Sequence, residues 1–267
     1  LCAAGVVFLV LVEIGRLLRE AGRKGPELMG YLDLVALATV ADVAPLIGVN
    51  RAFVRQGLTV MARRERPGLV ALADVAGMET SPTAYHLGYL LGPRVNAGGR
   101  IGAADLGARL LATQEPSEAA ALAERLDQLN RERRDVEAVV LAEALAQAEE
   151  RGYDAPLVWA AGEGWHPGVV GIVASRLKEV SGRPSIVIGI HDGIGKGSGR
   201  SISGIDLGLP IQRLASEGVL LKGGGHKMAA GLTVAVDRIE AAMSRLSDML
   251  HRQGAHLAGA ADLRVDG

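Results

Sequence analysis

Cysteine and aromatic residues are scarce in this sequence, and its net charge is close to zero. Cys2 is the only cysteine among 267 residues, so a disulfide framework and a cysteine-based metal site are excluded, and a reducing cytoplasm is the expected compartment. Aromatic residues make up 3% of the chain, which argues against base stacking as the main grip on a single strand. The net charge is −1, so any nucleic-acid site has to be a local cluster of Arg and Lys side chains.

Signatures of several enzyme classes are also missing. The chain contains neither a Ser-His-Asp elbow nor an HExxH motif, which excludes acyl transfer and zinc proteolysis, and its glycine-rich segments lack the spacing of a Walker loop. The opening run LCAAGVVFLVLVEIG has no basic segment before it and is interrupted by Glu13. We therefore expect a buried amphipathic helix and not a signal peptide or membrane span, and we interpret the missing initiator Met as truncation.

The pattern that is present predicts an α/β protein of two lobes. Apolar residues follow helical spacing up to about Leu111, and from Pro116 to about Arg151 no Gly or Pro interrupts one long helix. After Gly152, short apolar runs alternate with a helical stretch and with glycine-rich turns, and a final helix begins near Val236. A groove between the lobes is the expected place for a substrate. The predicted domains are a helix-rich lobe at 1–112, a connecting helix at 113–152 and a mixed α/β lobe at 153–267.

A single carboxylate stands out in the first lobe. In LVALATVADVAPL, Asp42 lies at the polar end of an apolar segment, just before Pro45. A carboxylate in such a place is costly unless it is paired, caps a helix or binds a cation. An N-cap or a surface turn is the alternative to a cation ligand. Asp33, nine residues upstream, is expected on the surface.

Residues 92–102, GPRVNAGGRIG, form the first glycine-rich motif. Its glycines and Pro93 frame Arg94, Asn96 and Arg100. Glycine lets a backbone approach a ligand closely, and guanidinium groups offer forked donors that suit phosphate oxygens. The alternative is a structural loop with two solvated arginines.

Residues 195–204, GKGSGRSISG, form the second glycine-rich motif and follow a predicted strand. They bring Lys196, Ser198, Arg200 and Ser201 together among four glycines. Hydroxyls, cations and exposed backbone N–H groups are what a phosphate pocket requires. A flexible hairpin tip is the alternative.

The third motif, KGGGHKMAAG at 222–231, places Gly224 and Gly225 directly before His226. Consecutive glycines indicate a backbone that passes close to something. His226 is predicted to donate to a phosphate, with a hydrogen-bonded structural histidine as the alternative. In the segment EGWHPGVVGIVASRL, an anion site at the helix start and a packing role for Trp165 and His166 are equally favoured.

Taken in order, these motifs resemble those of the RecJ exonucleases of the DHH phosphoesterase family. The matching segments span residues 39–234 and read TVADVAPL, GPRVNAGGRIG, LNRERRDVE, WHPGVVGIVASRL, GKGSGRSISG and GGGHKMAAGLTV. The resemblance implies a DHH catalytic domain and a DHH-associated domain around a two-metal site, with Mn²⁺ or Mg²⁺, that hydrolyses single-stranded DNA from its 5′ end in recombination and repair. It implies that Asp42 is a catalytic metal ligand. It assigns substrate binding to Arg94, Asn96, Arg100, Ser198, Arg200, Ser201, Gly224, Gly225 and His226.

The sequence departs from the family pattern in two ways. The DxD motif, the second Asp motif and the DHH triplet are absent, and so is the oligonucleotide-binding fold expected after the associated domain. The resemblance therefore implies an internal fragment that does not assemble the two-metal site alone. It also implies a cytoplasmic monomer that works with a helicase and a single-strand-binding protein. The alternatives within the family are an oligoribonuclease or cyclic-dinucleotide phosphodiesterase, which shares GGGH, and a non-catalytic replication scaffold.

Overall fold

The computed structural model describes residues 1–255, which belong to two compact units. The first unit is Leu1–Glu132 and the second begins at Arg133, so the boundary falls inside the long helix. The predicted α/β class is confirmed, because helices alternate with strands after residue 152. Each unit has its own hydrophobic core.

The first unit consists of helices packed around a leucine-rich core. The fully buried side chains of Leu72, Leu87, Leu91, Leu110 and Leu126 come from four elements and meet in that core. Pro67 opens one helix at its first turn, where the missing N–H has no helical partner to lose. The helices are α1 Ala3–Glu20, α2 Leu32–Ala41, α3 Gly48–Met61, α4 Pro67–Val75, α5 Gly92–Ile101, α6 Leu106–Ala112 and the first half of α7 Pro116–Arg151, with a π-helical segment at His86–Leu91.

The predicted first helix is confirmed, but its predicted burial is wrong. Only Gly5, Phe8 and Gly15 of α1 are buried, whereas Val7 and Val10 are more than half exposed. The apolar residues lie on every side of this helix, so packing one side leaves the others in solvent. Among residues 1–255, no helix is both long enough and apolar enough to cross a membrane.

The second unit is built on a five-stranded mixed sheet with the strand order β1-β2-β3-β5-β4. The strands β1 and β2 are parallel, because α8 returns the chain between them, and the other pairs are antiparallel. The last helix follows a short 3₁₀ turn that starts at Val236, as predicted. The elements are β1 Val158–Glu163, α8 Pro167–Ser181, β2 Ser185–His191, β3 Ile194–Arg200, α9 Gly208–Ser216, β4 Lys222–His226, β5 Ala229–Ala235 and α10 Ile239–His251.

The two faces of this sheet are covered differently. On one face, here called the closed face, Ile186 of β2 and Leu232 of β5 belong to a core completed by side chains of α9 and α10. On the opposite face, Val158 and Val187 pack with α8 and with the last turns of α7. Helix α8 lies over β2 and borders β3, where Ser198 and Arg200 are half-buried, and the side chains of β5 and β4 on the same face stay accessible.

The expectation that the glycine-rich motifs after Gly152 form turns is wrong, and so is the alternative interpretation of residues 92–102 as a structural loop. Residues 92–101 are the helix α5, and the segments around Ser198 and Gly224 are the strands β3 and β4. The strands complete ladder hydrogen bonds with β2 and β5, so tertiary pairing outweighs the weak strand propensity of glycine. The three motifs therefore sit on regular elements that fix the direction of each side chain.

Candidate functional site

The register of β3, β5 and β4 gathers the polar residues of two motifs on one surface, here called the open face. Residues directly opposite one another in a sheet point to the same side. Arg200 and His226 both pair with Ala229, so they occupy one row across the three strands. None of the nine residues of this surface is buried. The open face consists of Lys196, Ser198 and Arg200 of β3, Ala229, Gly231 and Thr233 of β5, and Lys222, Gly224 and His226 of β4.

The glycines of β3 alternate with these polar residues and face the other way. A Cβ atom on Gly197 would lie 3.0 Å from Ile188, and one on Gly199 would lie 2.7 Å from Leu207. Both of these neighbours are side chains of the closed-face core. Larger residues would not fit there without displacing that core. This close packing is why the polar residues of β3 are held outward.

Arg200 carries a half-buried positive charge that no acid neutralises. Its Nη1 donates to the carbonyl oxygen of Gly199 at 2.9 Å, and within the described part of the chain no carboxylate oxygen lies within 4.0 Å of it. Burial lowers the pKa of Arg200 below its ordinary value, although arginine remains charged at neutral pH. A cation partly removed from water is stabilised by an anion, so this group is suited to a phosphate.

Helix α8 borders Arg200 at a glycine. A Cβ atom on Gly171 would lie 3.0 Å from Nη2 of Arg200 and 3.4 Å from the hydroxyl oxygen of Ser198. The missing side chain leaves room for the guanidinium and the hydroxyl side by side. The sequence carries no signal for this proximity, because Gly171 and Arg200 are far apart along the chain.

His226 presents a hydrogen-bond donor at the end of β4. Its ring is exposed, and Nδ1 accepts from the backbone N–H of Met228 at 3.3 Å. In the neutral ring the proton is then on Nε2, which points away from that bond. Gly208 backs the histidine closely, since a Cβ there would lie 2.9 Å from the carbonyl carbon of His226.

Ser201 and Gly225 differ from their neighbours in the same motifs. Ser201 is 1% exposed, and its hydroxyl donates to the carbonyl oxygen of Ile205 at 2.8 Å, so it stabilises the turn after β3. A Cβ on Gly225 would lie 2.4 Å from the carbonyl oxygen of Ala229, and its φ is +155°, so packing and backbone conformation both require glycine there. Gly224 has open space above its Cα.

Asp42 lies at the C-terminal end of α2, and its side chain is exposed. The next residue, Val43, has φ +54° and is 86% exposed. A β-branched residue in the left-handed region is strained, and strain of this kind concentrates at functional sites. Asp42 and Asn96 line one cleft of about 450 Å³ within the first unit. Gly92 makes this possible, because a Cβ there would lie 3.2 Å from that of Ala41.

The described residues do not by themselves complete a metal site. Among residues 1–255, no three His, Cys, Asp or Glu side chains come together closely enough to hold an ion. Divalent Mg²⁺ and Mn²⁺ need several oxygen ligands, and Asp42 supplies one carboxylate. Asp42 therefore fits a metal ion only as one member of a larger ligand set.

Helix α5 divides the side chains of its motif between two sides. Asn96 and Arg100 are four residues apart and both exposed, so they share one side. Arg94 points elsewhere: its Nε lies 2.8 Å from a carboxylate oxygen of Asp127, and its Nη1 donates to the carbonyl oxygen of Leu90. The structure thus brings Asn96 near Asp42 and gives Arg94 an internal ion pair.

Two other expectations were tested by the structure. The prediction that Asp33 is on the surface is wrong, because it is 3% exposed and pairs with Arg66 at 2.8 Å. Trp165 is buried, and its Nε1 donates to Glu143 at 2.6 Å. His166 caps α8 by accepting the N–H of Gly168 at 3.0 Å, so packing and capping are the observed roles.

Residues 154–252 match the DHHA1 domain. A single-stranded-DNA-specific exonuclease RecJ from Dickeya dadantii is 43% identical over 265 residues, which is 94% of this chain and 46% of that protein. Over nearly its whole length, the chain is similar to this RecJ. RecJ from Escherichia coli is 40% identical over 94% of this chain and 46% of its own length, so the chain spans about half the length of these curated relatives.

Solved RecJ structures share the fold. RecJ from Thermus thermophilus, in complex with Mg²⁺, is 36% identical with a TM-score of 0.78 over 89% of this chain and 36% of that chain. An exonuclease RecJ bound to manganese is 35% identical with a TM-score of 0.78 over 94% of this chain and 62% of that chain. One of these RecJ structures contains Mg²⁺ and the other contains manganese, which are the two metals that the sequence resemblance implies.

Proposed function

We propose that this chain is part of a metal-dependent exonuclease that hydrolyses single-stranded DNA from its 5′ end. In this proposal the open face of the second unit holds phosphates of the strand. Asp42 is one ligand of the catalytic Mn²⁺ or Mg²⁺ ions, and other parts of the protein supply the remaining ligands. Bound divalent ions would activate water and stabilise the departing oxygen.

The observation that carries the proposal is the unneutralised guanidinium of Arg200. It lies beside the Ser198 hydroxyl and in the same row as His226, which offers an N–H donor. A guanidinium, a hydroxyl and an imidazole N–H are suited to the oxygens of a phosphate and carry no preference for a base. The backbone of a strand, and not its sequence, is then the expected ligand.

The residues of the first unit take a second group of roles. Asn96 lies in the cleft with Asp42, and Arg100 follows on the same side of α5, so both are placed to contact a strand whose scissile phosphate is near Asp42. Arg94 supports them by holding α5 through Asp127. We assign Arg94 a positioning role within the proposed substrate site.

Two observations favour this function over the alternatives. The curated relatives are single-stranded-DNA-specific exonucleases, which favours DNA over short RNA or cyclic dinucleotides. The strained Val43 next to Asp42 favours a catalytic protein over a scaffold, because such strain persists where function requires it. A monomer that receives strands from a helicase and a single-strand-binding protein completes the proposal.

The direct test is Arg200→Ala in the full-length protein, with binding of single-stranded oligonucleotides titrated at several salt concentrations. We expect affinity to fall about tenfold or more, because a charge-assisted hydrogen bond to phosphate is removed. The log–log salt dependence should flatten by about 0.7 for each phosphate that is no longer neutralised, equally for all sequences. The effect should be greater for a 5′-phosphorylated oligonucleotide than for the 5′-hydroxyl form.

Arg213→Ala is the matched control, because Arg213 is an exposed arginine of α9, on the closed-face side, paired with Glu217. It should bind as the unaltered protein does. Unchanged binding and salt dependence in Arg200→Ala would refute the proposed role of the open face. If binding of the 5′-phosphorylated and 5′-hydroxyl oligonucleotides were weakened equally, Arg200 would contact an internal phosphate of the strand and not the 5′ end.

A further inference from the structure

The open face contains a second row of polar residues that mirrors the row of Arg200. Lys196 of β3 and Lys222 of β4 both pair with Thr233 of β5, one from each side. Neighbouring strands are about 4.8 Å apart, so both ammonium groups can reach the space above the threonine hydroxyl. Two ammonium groups and a hydroxyl are the donors that a phosphate needs.

The lysines of this row are accessible and have no acidic partner. The chain contains only five lysines among its 29 basic residues, and two of them are in this row. Both are exposed, and in the part of the chain that the structure describes no carboxylate oxygen lies within 4.0 Å of either. Most exposed arginines of the helices around the sheet, by contrast, pair with glutamates, as Arg176 does with Glu179. An unpaired cationic row is favourable only where an anion binds or water solvates it.

A bare row separates the two polar rows. Gly224 and Gly231 pair with each other across β4 and β5, and Ser198 pairs with Gly231 from the other side. A Cβ on Gly224 would meet nothing within 4 Å, and one on Gly231 would come no closer than 3.9 Å to another atom. Packing therefore does not explain why these two positions are glycine, whereas it does explain Gly197 on the closed face. Their effect is a flat floor that a ligand can approach closely.

The spacing of the rows distinguishes one phosphate from several. Lys196 and Arg200 are four residues apart on β3, which is about 13 Å in a strand. One phosphate cannot bridge that distance, whereas a strand with several phosphates can. The rows follow one another at a constant spacing along the strands. This spacing, together with the flat floor, is suited to the extended backbone of a nucleic-acid strand.

We propose that Lys196, Thr233 and Lys222 form a second phosphate subsite, which binds an inner phosphate of the strand whose other phosphate is held by Arg200. The proposal rests on the proposed function of the open face and adds a direction to it, because the strand runs parallel to β3, above β5 and β4, across the floor of Gly231 and Gly224. Binding energy is thereby shared between two points along the strand.

The test compares thymidine 5′-monophosphate with the 5′-phosphorylated trinucleotide p(dT)₃, bound to the full-length protein in the presence of a chelator. The unaltered protein should bind the trinucleotide more tightly than the mononucleotide. Lys196→Gln combined with Lys222→Gln should abolish most of that difference and leave mononucleotide binding unchanged. For longer oligo(dT), the salt dependence of the double variant should flatten by about 0.7, because one phosphate is no longer neutralised.

Lys24→Gln is the control, because Lys24 is an exposed lysine that belongs to the first unit and is not part of the open face. It should change neither comparison. Equal weakening of the mononucleotide and the trinucleotide by the double variant would overturn the second subsite and leave a general electrostatic effect. Arg200→Ala is measured separately. Unchanged binding by that variant would refute the proposed function of the open face, whereas failure of the lysine test alone would refute only the second subsite.

A second variant tests the floor without altering any charge. Gly231→Val has room for its Cβ and suits a strand, so the thermal midpoint should stay the same. Its side chain should obstruct the trinucleotide and leave the mononucleotide unaffected. Gly197→Val, on the closed face, should lower the midpoint, because its Cβ would lie 3.0 Å from Ile188. Normal trinucleotide binding by folded Gly231→Val would overturn the proposed path of the strand.

Discussion

Helix α5 and strand β3 both carry arginines among glycines, and they orient them differently. In α5, successive residues turn by about 100°, so Arg94 and Arg100 point to different sides. In β3, residues two apart point the same way, so Lys196, Ser198 and Arg200 share the open face. Similar composition thus yields one internal ion pair and one exposed side in the helix. In the strand it yields three polar side chains on one face, with no acidic partner among the described residues. The partner of each arginine indicates whether it stabilises the fold or awaits a ligand.

The largest effect is expected from Asp42→Ala in the full-length protein, which separates the cleft of the first unit from the open face of the second. We expect cleavage of single-stranded DNA to be abolished and binding to be largely kept, because Asp42 is proposed to hold metal, whereas the open face holds phosphates. Cleavage with saturating Mn²⁺ and binding with a chelator are measured on the same preparation.

Asp135→Ala, at an exposed position of α7, is the control for removal of a carboxylate and should retain cleavage. The comparison between the two regions fails if Asp42→Ala cleaves at the normal rate. The present chain, which has one such carboxylate, is expected to show no metal-dependent degradation of single-stranded DNA by itself. Sustained cleavage by the purified chain would contradict that expectation.

The two arginines of α5 should differ in their effects on stability. Arg94→Ala should lower the free energy of unfolding by about 3 kcal/mol, because it leaves the buried Asp127 with Arg131 alone. Arg100 is exposed, so Arg100→Ala should change it by less than about 0.5 kcal/mol. Urea denaturation followed by circular dichroism measures both. Equal effects of the two substitutions would disprove the division of α5 into a structural and an exposed side.

The smallest effect is expected on the closed-face side, where arginines are paired. The hydrogen bond from Arg213, together with Arg245, holds the pKa of Glu217 below its ordinary value. A lowered carboxylate pKa adds stability above the unfolded pKa, and that stability is lost as the pH falls through the folded value. Glu217→Gln should therefore cost slightly more stability at pH 7 than in acid, where the difference should vanish.

Thermal midpoints of this variant from pH 7 down to pH 3 provide the measurement. The exposed Glu150 has no ion pair within the described residues, so Glu150→Gln should show no such dependence. Added salt should reduce the Glu217 effect, since exposed pairs are screened. If Glu217→Gln still lowered the thermal midpoint in acid, the loss of stability would come from packing and not from the charge.

Much of the fold was predictable because its signals are local. The helix from Pro116 to Arg151 is confirmed, since it has a proline at its first turn and no breaker inside. The helix after Val236 and the α/β order of the second unit also follow from local patterns. The glycine motifs after Gly152 were expected to form turns, because glycine is a weak former of both helix and strand, and only neighbouring elements decide between them.

The amino-acid sequence by itself determined which residues are candidates for the chemistry. The order of the motifs, the scarcity of lysine and the carboxylate of Asp42 are properties of the chain before it folds. Only the tertiary structure decided which of these residues are available. Ser201 and Arg94 are used internally, whereas Arg200 and His226 meet in one row of the open face. The physical reason is that a side chain's direction follows from strand register and helix rotation, and its partners follow from packing between residues distant along the chain.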